Sequence, residues 1–261
     1  MLSDDRPILV TNDDGIDAPG LASLAGELYR RFGARVVVVA PLAERSAVGH
    51  GITLRDELIV RRVELPGLPS LRAYGVSGTP VDCVKIGVRV LLDRPPGLVC
   101  AGVNYGYNLG TDVFYSGTVS AALEAVILGF PSLAASTGRG PQNVREAAAS
   151  IVGELADRVM RRGLPGHTLL NVNVPPGAGP TTDPAAWEVT RLGLRSYENV
   201  FARVGQSAAG DHYVLASETM HDEHATGTDI AAVASGRISV TPIHLDLTNH
   251  AVLAAMTEWI R

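Results

Sequence analysis

Residues 7–17 read PILVTNDDGID: an apolar run without polar alternation, then a turn that sets Asn12, Asp13, Asp14 and Asp17 around Gly15. A short, unbroken apolar run closed by Asp and Gly is what a strand buried on both faces looks like, as in a parallel sheet. An amphipathic helical pattern over 19–32 follows, and ARVVVVA at 34–40 is a second such run, ending at Pro41. The alternation continues through LRAYGV at 71–76, a helix over 79–92, GLVCAGV at 97–103, a helix over 117–128, FPSLAAS at 130–136, a helix over 142–162 and HTLLNVNVP at 167–175. Repeated strand and helix in this order specify the α/β class, a Rossmann-like doubly wound and mostly parallel sheet between two helical layers.

From Pro175 the texture changes. PPGAGPTTDP at 175–184 is a turn-rich connector, followed by the short strand-like pieces WEVTRL at 187–192, HYVLAS at 212–217 and RISVTPI at 237–243, and by a terminal helical pattern over 249–260. The expected division is a catalytic core over 1–175 and a β-rich C-terminal extension over 176–261, with a hairpin-like segment, a return to the core and a final helix.

The chain has 261 residues, 46% hydrophobic and 19% charged, enough apolar material for a large core and too much for a disordered chain. Its net charge of −5 leaves no basic excess to neutralise a phosphate backbone, so duplex nucleic acid is not expected as a partner. No run approaches the roughly 18 apolar residues of a membrane span, and MLSDDRPILV at 1–10 is acidic where a secretory signal is basic. A cytoplasmic protein without membrane association is expected. Cys83 and Cys100 lie in apolar surroundings without CxxC spacing, as buried reduced thiols do.

Ligands of open parallel sheets collect at the carboxyl ends of the strands, which is where the Asp13–Asp14 turn falls. Adjacent ionised carboxylates repel each other unless a cation or several donors sit between them. Two readings stay open from the turn alone: a divalent metal site, or acids that cap the next helix. Three further loops reach the same edge: PLAERSAVGHGITL at 41–54, with Glu44, Arg45, Ser46 and His50; AGVNYGYNLG at 101–110, with Asn104 and Asn108; and YSGTVSAALEA at 115–125, which opens a helix with Ser116, Gly117 and Thr118. Carboxylate, hydroxyl and amide oxygens suit a hard cation such as Mg2+ or Mn2+, and a helix N-terminus suits an anion, phosphate above all. A hard cation beside a phosphate cradle points to phosphoryl chemistry.

Five segments carry a resemblance to a known family: ILVTNDDGIDAPG at 8–20, VVAPLAERSAVGHGITL at 38–54, GVSGTPVDCV at 75–84, AGVNYGYNLGTDVFYSGTVSAALEA at 101–125 and GTDIAAVASGRISVTPIHLDLT at 227–248. In this order they resemble the stationary-phase survival protein SurE family of metal-dependent 5'-nucleotidases. The resemblance implies a Rossmann-like core, a C-terminal extension for homodimer or homotetramer association, and hydrolysis of nucleoside 5'-monophosphates. It implies one divalent cation per subunit on Asp13, Asp14, Ser46 and Asn104, and phosphate contact through Ser116, Gly117 and Thr118, with Asn12 and Asn108 close by. Ala47 stands where the family usually has Gly, and Cys100 and Ala101 where Ser and Gly are more usual; neither change removes a ligand.

The mechanism expected on these residues is attack by water activated at the metal, with Asp13 or Asp14 taking its proton and Asn12 beside them. The alternatives are 3'-nucleotides or polyphosphate as main substrates, or a metal-dependent nucleotide-binding module without turnover. Ser116 lacks the GxSxG elbow of a serine nucleophile. HDEH at 221–224 lacks the HExxH spacing of a metal site and reads as solvated loop. His50 reads as a structural or loop-ordering residue, with a general acid or phosphate contact as the alternative, and AVLAAMTEWI at 251–260 as a packed or subunit-contacting helix.

Overall fold

In the computed structural model, which describes residues 5–178 and 183–261, the first half of the chain runs β1 (Ile8–Thr11), α1 (Pro19–Phe32), β2 (Val36–Pro41), β3 (Val60–Leu65), β4 (Leu68–Val76), α2 (Pro80–Ile86), β5 (Leu98–Tyr105) and α3 (Gly117–Ile127). The rest is β6 (Ser132–Thr137), α4 (Gln142–Arg162), β7 (Thr168–Val174), β8 (Trp187–Val189), β9 (Arg195–Ser207), β10 (Gly210–Asp222), α5 (Asp229–Ala234), β11 (Ile238–His244) and α6 (Leu253–Ile260).

The apolar runs read as doubly buried because both their faces are covered. In β1, Ile8 and Val10 join one core and Leu9 the other; in β2, Val36 and Val38 part from Val37 and Val39 in the same way. The first core is completed by Leu21, Leu24 and Leu28 of α1 and by Ile151, Val152 and Leu155 of α4. The second is completed by Cys83 and Val84 of α2 and by Val119, Ala122 and Val126 of α3. The result is three layers, α1 and α4 on one face of the sheet and α2 and α3 on the other. Both thiols are buried and free, and burial pushes each well above its ordinary pKa.

The nine-stranded sheet has the order β3-β4-β2-β1-β5-β6-β7-β11-β8. Its pairs from β4 through to β7 are parallel, while β3 on β4 and β11 on β7 are antiparallel. β1 lies between β2 and β5, and the chain leaves it in one direction before returning on the other side of it. This is the topological switch point, where the loops after adjacent strands diverge and leave a crevice.

Four features differ from the sequence reading. β3 was not expected, because VRRVEL at 60–65 is largely exposed and shows no continuous apolar run. The helix expected over 79–92 ends as α2 and continues as a π-helical turn over Gly87–Leu91. The expected HYVLAS strand is the middle of a hairpin of two 13-residue strands, β9 and β10, paired with each other and with no other strand. α5, capped by Thr228, was not expected either. β8 and β11 extend the core sheet itself. The expected connector at 175–184 lies in part outside the described residues.

Candidate active site

The turn after β1 is built by its own residues. Gly15 adopts φ 102°, where a side chain is disfavoured, and its carbonyl accepts Asn12 Nδ2 at 2.8 Å. Ile16 N–H donates to the Pro41 carbonyl at 2.7 Å and Arg45 N–H to that of Asp13 at 2.8 Å, so the loops after β1 and β2 are tied together. α1 begins only at Pro19, its N-cap is Ala18, and its first turn carries no acid. Asp13 and Asp14 therefore do not cap the next helix, and the capping reading is set aside.

Asp13 is 5% exposed and faces the N-terminus of α3, where the Thr118 hydroxyl and the Thr118 N–H both donate to its carboxylate. Burial nevertheless raises its pKa, against those hydrogen bonds and with a push from Glu44. Asp14 is raised from 3.8 to about 6, first by burial and then by the charge of Asp13, despite a backbone hydrogen bond from Tyr105. The opposing influences on both groups are hydrogen bonds; no basic side chain is among them. Next to them Asn12 is fully buried, with Oδ1 lacking any hydrogen-bond partner. Two crowded acids opposed by hydrogen bonds alone leave negative charge that a divalent cation would neutralise.

The other expected residues converge on the same place. Asp13, Asp14, Ser46, Asn104, Asn108 and Ser116 all line one open cleft of about 910 Å3, within the size range of small-molecule sites. Ser46 donates to Glu44 at 2.6 Å, and Asn104 Nδ2 donates to the Gly106 carbonyl at 2.8 Å, which turns that amide's oxygen to the other side. Ser116 is the N-cap of α3, accepting Val119 N–H at 3.1 Å. Gly117 touches Asp13 directly, since a Cβ on it would lie 2.8 Å from Asp13 Oδ2. Of the expected phosphate cradle, then, Ser116 and Gly117 reach the cleft or its acid wall, while both Thr118 donors are turned onto Asp13.

Among the described residues no three His, Cys, Asp or Glu side chains converge as a metal cluster. A cation at Asp13 and Asp14 would complete its shell with the neutral oxygens of Ser46 and Asn104, an all-oxygen set that fits Mg2+ or Mn2+.

Sequence reasoning missed other walls of the cleft. Tyr105, Tyr107 and Tyr115 line it, as do Arg139 and, from the hairpin, Tyr197 and Glu218. At the base of β9 the buried Arg195 bonds Asp112 at 2.5 Å and Asp222 at 2.6 Å. Tyr105, Tyr107 and Tyr115 fall within the segment 101–125 that carries the family resemblance, whereas Tyr197 does not; Arg195 and Asp112, 83 positions apart, share no local signal. His50 hydrogen-bonds the buried Glu124 at 2.9 Å, which ties its loop to α3. In HDEH, Asp222 pairs with Arg195, while His221, Glu223 and His224 are exposed.

Acids at the switch point of a doubly wound sheet, facing a helix N-terminus across a polar cleft, define an α/β protein with a polar site of small-molecule size. The family described as "Survival protein SurE" matches residues 8–199. The 5'-nucleotidase SurE of Moorella thermoacetica is 49% identical over 254 residues, covering 97% of this chain and 95% of its own. That of Heliobacterium modesticaldum is 45% identical over 255 residues, covering 97% and 91%. The crystal structure of the SurE protein from Aquifex aeolicus superposes with a TM-score of 0.77 at 38% identity, over 98% of this chain and all of the other. The chain belongs to the SurE family. Among the described residues no helix is long and apolar enough to cross a membrane.

Proposed function

We propose that this chain is a 5'-nucleotidase that hydrolyses nucleoside 5'-monophosphates to nucleoside and phosphate, with one divalent cation, Mg2+ or Mn2+, per subunit. The observation that carries the reading is the Asp13–Asp14 pair, with raised pKa values and no basic partner, set against the N-terminus of α3. The names of the relatives supply the substrate class.

Asp13, Asp14, Ser46 and Asn104 would hold the cation, which supplies positive charge against the phosphoryl oxygens and makes water a better nucleophile at neutral pH. Ser116, Gly117 and Asn108 face the phosphate, and Thr118 acts by orienting Asp13. Arg139, on the cleft wall, adds charge attraction for the incoming dianion. Water attacks phosphorus and gives up a proton, the bond from phosphorus to the 5' oxygen breaks, and that same proton is passed on to the 5' oxygen as the nucleoside leaves. Asp14 takes the proton from water, because one Asp13 oxygen is already occupied by the Thr118 hydroxyl whereas Asp14 is only partly buried. Asn12 braces the turn that carries both acids.

We further assign the extension over 176–261 to subunit association as a homodimer or homotetramer, on the exposed apolar side chains of β9, β10 and α6.

The deciding assay measures phosphate release from a panel of 5'- and 3'-nucleoside monophosphates and polyphosphate, with Mn2+, with Mg2+ and with excess chelator. Release from 5'-monophosphates that requires metal is the expected result. Faster release from 3'-nucleotides or polyphosphate would replace the substrate; metal-dependent nucleotide binding without release would replace the enzyme by a binding module; full activity in chelator would remove the cation.

A further inference from the structure

β7 is covered on both faces, yet it carries Asn171 and Asn173 at positions where its alternation favours apolar side chains, while Val172 and Val174 fill the other core layer. Both amides are fully buried. Asn173 grips the backbone of Asn108 in both directions: Nδ2 donates to the Asn108 carbonyl at 3.0 Å, and Oδ1 accepts the Asn108 N–H at 2.9 Å. Asn171 Nδ2 donates to the same carbonyl at 2.9 Å. A primary amide used this way copies the donor and acceptor of a strand edge, so loop residue 108 is held as firmly as if it were bridged into a sheet. Asn171 Oδ1 is buried with no partner among the described residues, so the hydrogen bonding of this side chain runs through its donor.

Two residues on, the same loop is pinned again. Gly110 N–H donates to Oδ2 of the fully buried Asp229 at 2.8 Å, while Oδ1 of Asp229 accepts Gly193 N–H at 2.8 Å and Ile230 N–H at 2.9 Å. The Asn108 side chain is itself braced, its Nδ2 donating to Ser136 Oγ at 2.7 Å at the end of β6, and it lines the cleft.

We propose that Asn173, with Asn171 as its second donor, is a positioning residue for the reaction: it fixes the backbone of Asn108 and thereby aims the Asn108 amide at the phosphate. Asp229 holds the far side of the loop. The inference rests on reading Asn108 as a phosphate-facing residue.

The test is a double-mutant cycle in the full-length, Mn2+-loaded enzyme. Asn173→Asp keeps the acceptor for Asn108 N–H and sets an oxygen against the Asn108 carbonyl, so kcat/KM for AMP falls on the order of 100-fold, and competitive inhibition by inorganic phosphate weakens in step. In the Asn108→Ala background the same substitution costs no more than about twofold further. A full additional loss in that background overturns the positioning role while leaving the phosphate reading intact. If Asn108→Ala leaves both phosphate inhibition and kcat/KM unchanged, the phosphate reading falls and the positioning role with it. Should Asn173→Asp not fold, Asn171→Leu carries the test: weaker phosphate inhibition at an unchanged Tm supports the proposal, and unchanged inhibition overturns it.

Discussion

Gly117 lies so close to Asp13 that a Cβ built on it would fall 2.8 Å from both the Cβ and the Oδ2 of that residue. The backbone of Gly117 is ordinary helix, so glycine is required here by proximity and not by an unusual φ. Gly117→Ala has to push Asp13 or the first turn of α3 aside. Overpacking of this kind costs about 1–3 kcal/mol of stability, and a displacement of about 1 Å at the reacting centre costs on the order of 100-fold in rate. Urea unfolding and kcat/KM for AMP check the two effects. A variant that folds normally and keeps wild-type activity would show that the contact between cradle and carboxylate is dispensable.

Asp14→Asn separates stability from function. With metal chelated, the wild-type site holds a buried and a partly buried acid that repel each other, and Asp14 is raised to about 6. Removing one charge relieves that cost, so the chelated variant is more stable at pH 7 by about 1 kcal/mol. Saturating Mn2+ stabilises wild type by about 2.7 kcal/mol at a hundred times its Kd, and the variant by much less. Thermal melts with and without Mn2+ give both numbers; an undiminished Mn2+ shift in Asp14→Asn sinks its assignment as a ligand.

What was legible in the sequence is what burial writes into it. The strands at 8–11, 36–41, 98–105, 132–137 and 168–174 announce themselves because both faces are covered along most of their length and most positions are apolar or small. β3 and β9 are hidden for the opposite reason: VRRVEL and RSYENVFARVGQS bury almost nothing, so their period carries no hydrophobic signal. At the site, acids and amides packed around glycines marked the turns, and the structure brings Asp13, Asp14, Ser46, Asn104, Asn108 and Ser116 to one cleft. Arg195 could not be found this way, because its partners Asp112 and Asp222 are distant in sequence. Asn171 and Asn173 could have been: two amides spaced by two on a fully buried strand must share a face and need partners there.

Ala47 has φ 55°, a left-handed conformation that costs a residue with a Cβ about 1–2 kcal/mol. It is exposed, so its methyl group contributes little packing. Ala→Gly ordinarily destabilises by about 0.5–1 kcal/mol through unfolded-chain entropy. At this position the released strain exceeds that cost, and Ala47→Gly stabilises by up to about 1 kcal/mol. A urea midpoint that moves down would show that the loop bears no strain there.

Arg195 joins the hairpin to the core through Asp112 and pairs with Asp222 across the base of the hairpin, and its guanidinium holds the Asp222 carboxyl below its usual 3.8, more strongly than burial raises it. A depressed carboxylate pKa contributes stability above the unfolded value, and that contribution is lost as pH falls through the folded one. Arg195→Met leaves two largely enclosed carboxylates without their cation and costs about 3–5 kcal/mol at pH 7. The gap between wild type and variant therefore narrows as pH falls, first as the variant's uncompensated carboxylates protonate and then, below about 4, as Asp222 of the wild type protonates. Urea midpoints across that range check the sign; a gap that widens in acid contradicts the assignment.

No residue of α6 is buried within the chain, and Trp259 and Ile260 are 78% and 77% exposed. The hairpin likewise presents Phe201, Val204, Tyr213 and Leu215 to solvent. Apolar side chains concentrated on two elements in this way mark an association surface, and a second copy of the chain covers it at no cost in new sequence. The full chain therefore runs as a dimer or tetramer in light scattering, and removal of residues 249–261 lowers the assembly number. Trp259 is one of two tryptophans, so Trp187→Phe leaves it as the sole reporter. Its emission is blue-shifted in the assembly and moves to the red on dilution below the dissociation constant. A monodisperse monomer at tens of micromolar, with red-shifted Trp259 emission at every concentration, would remove association from the role of this segment.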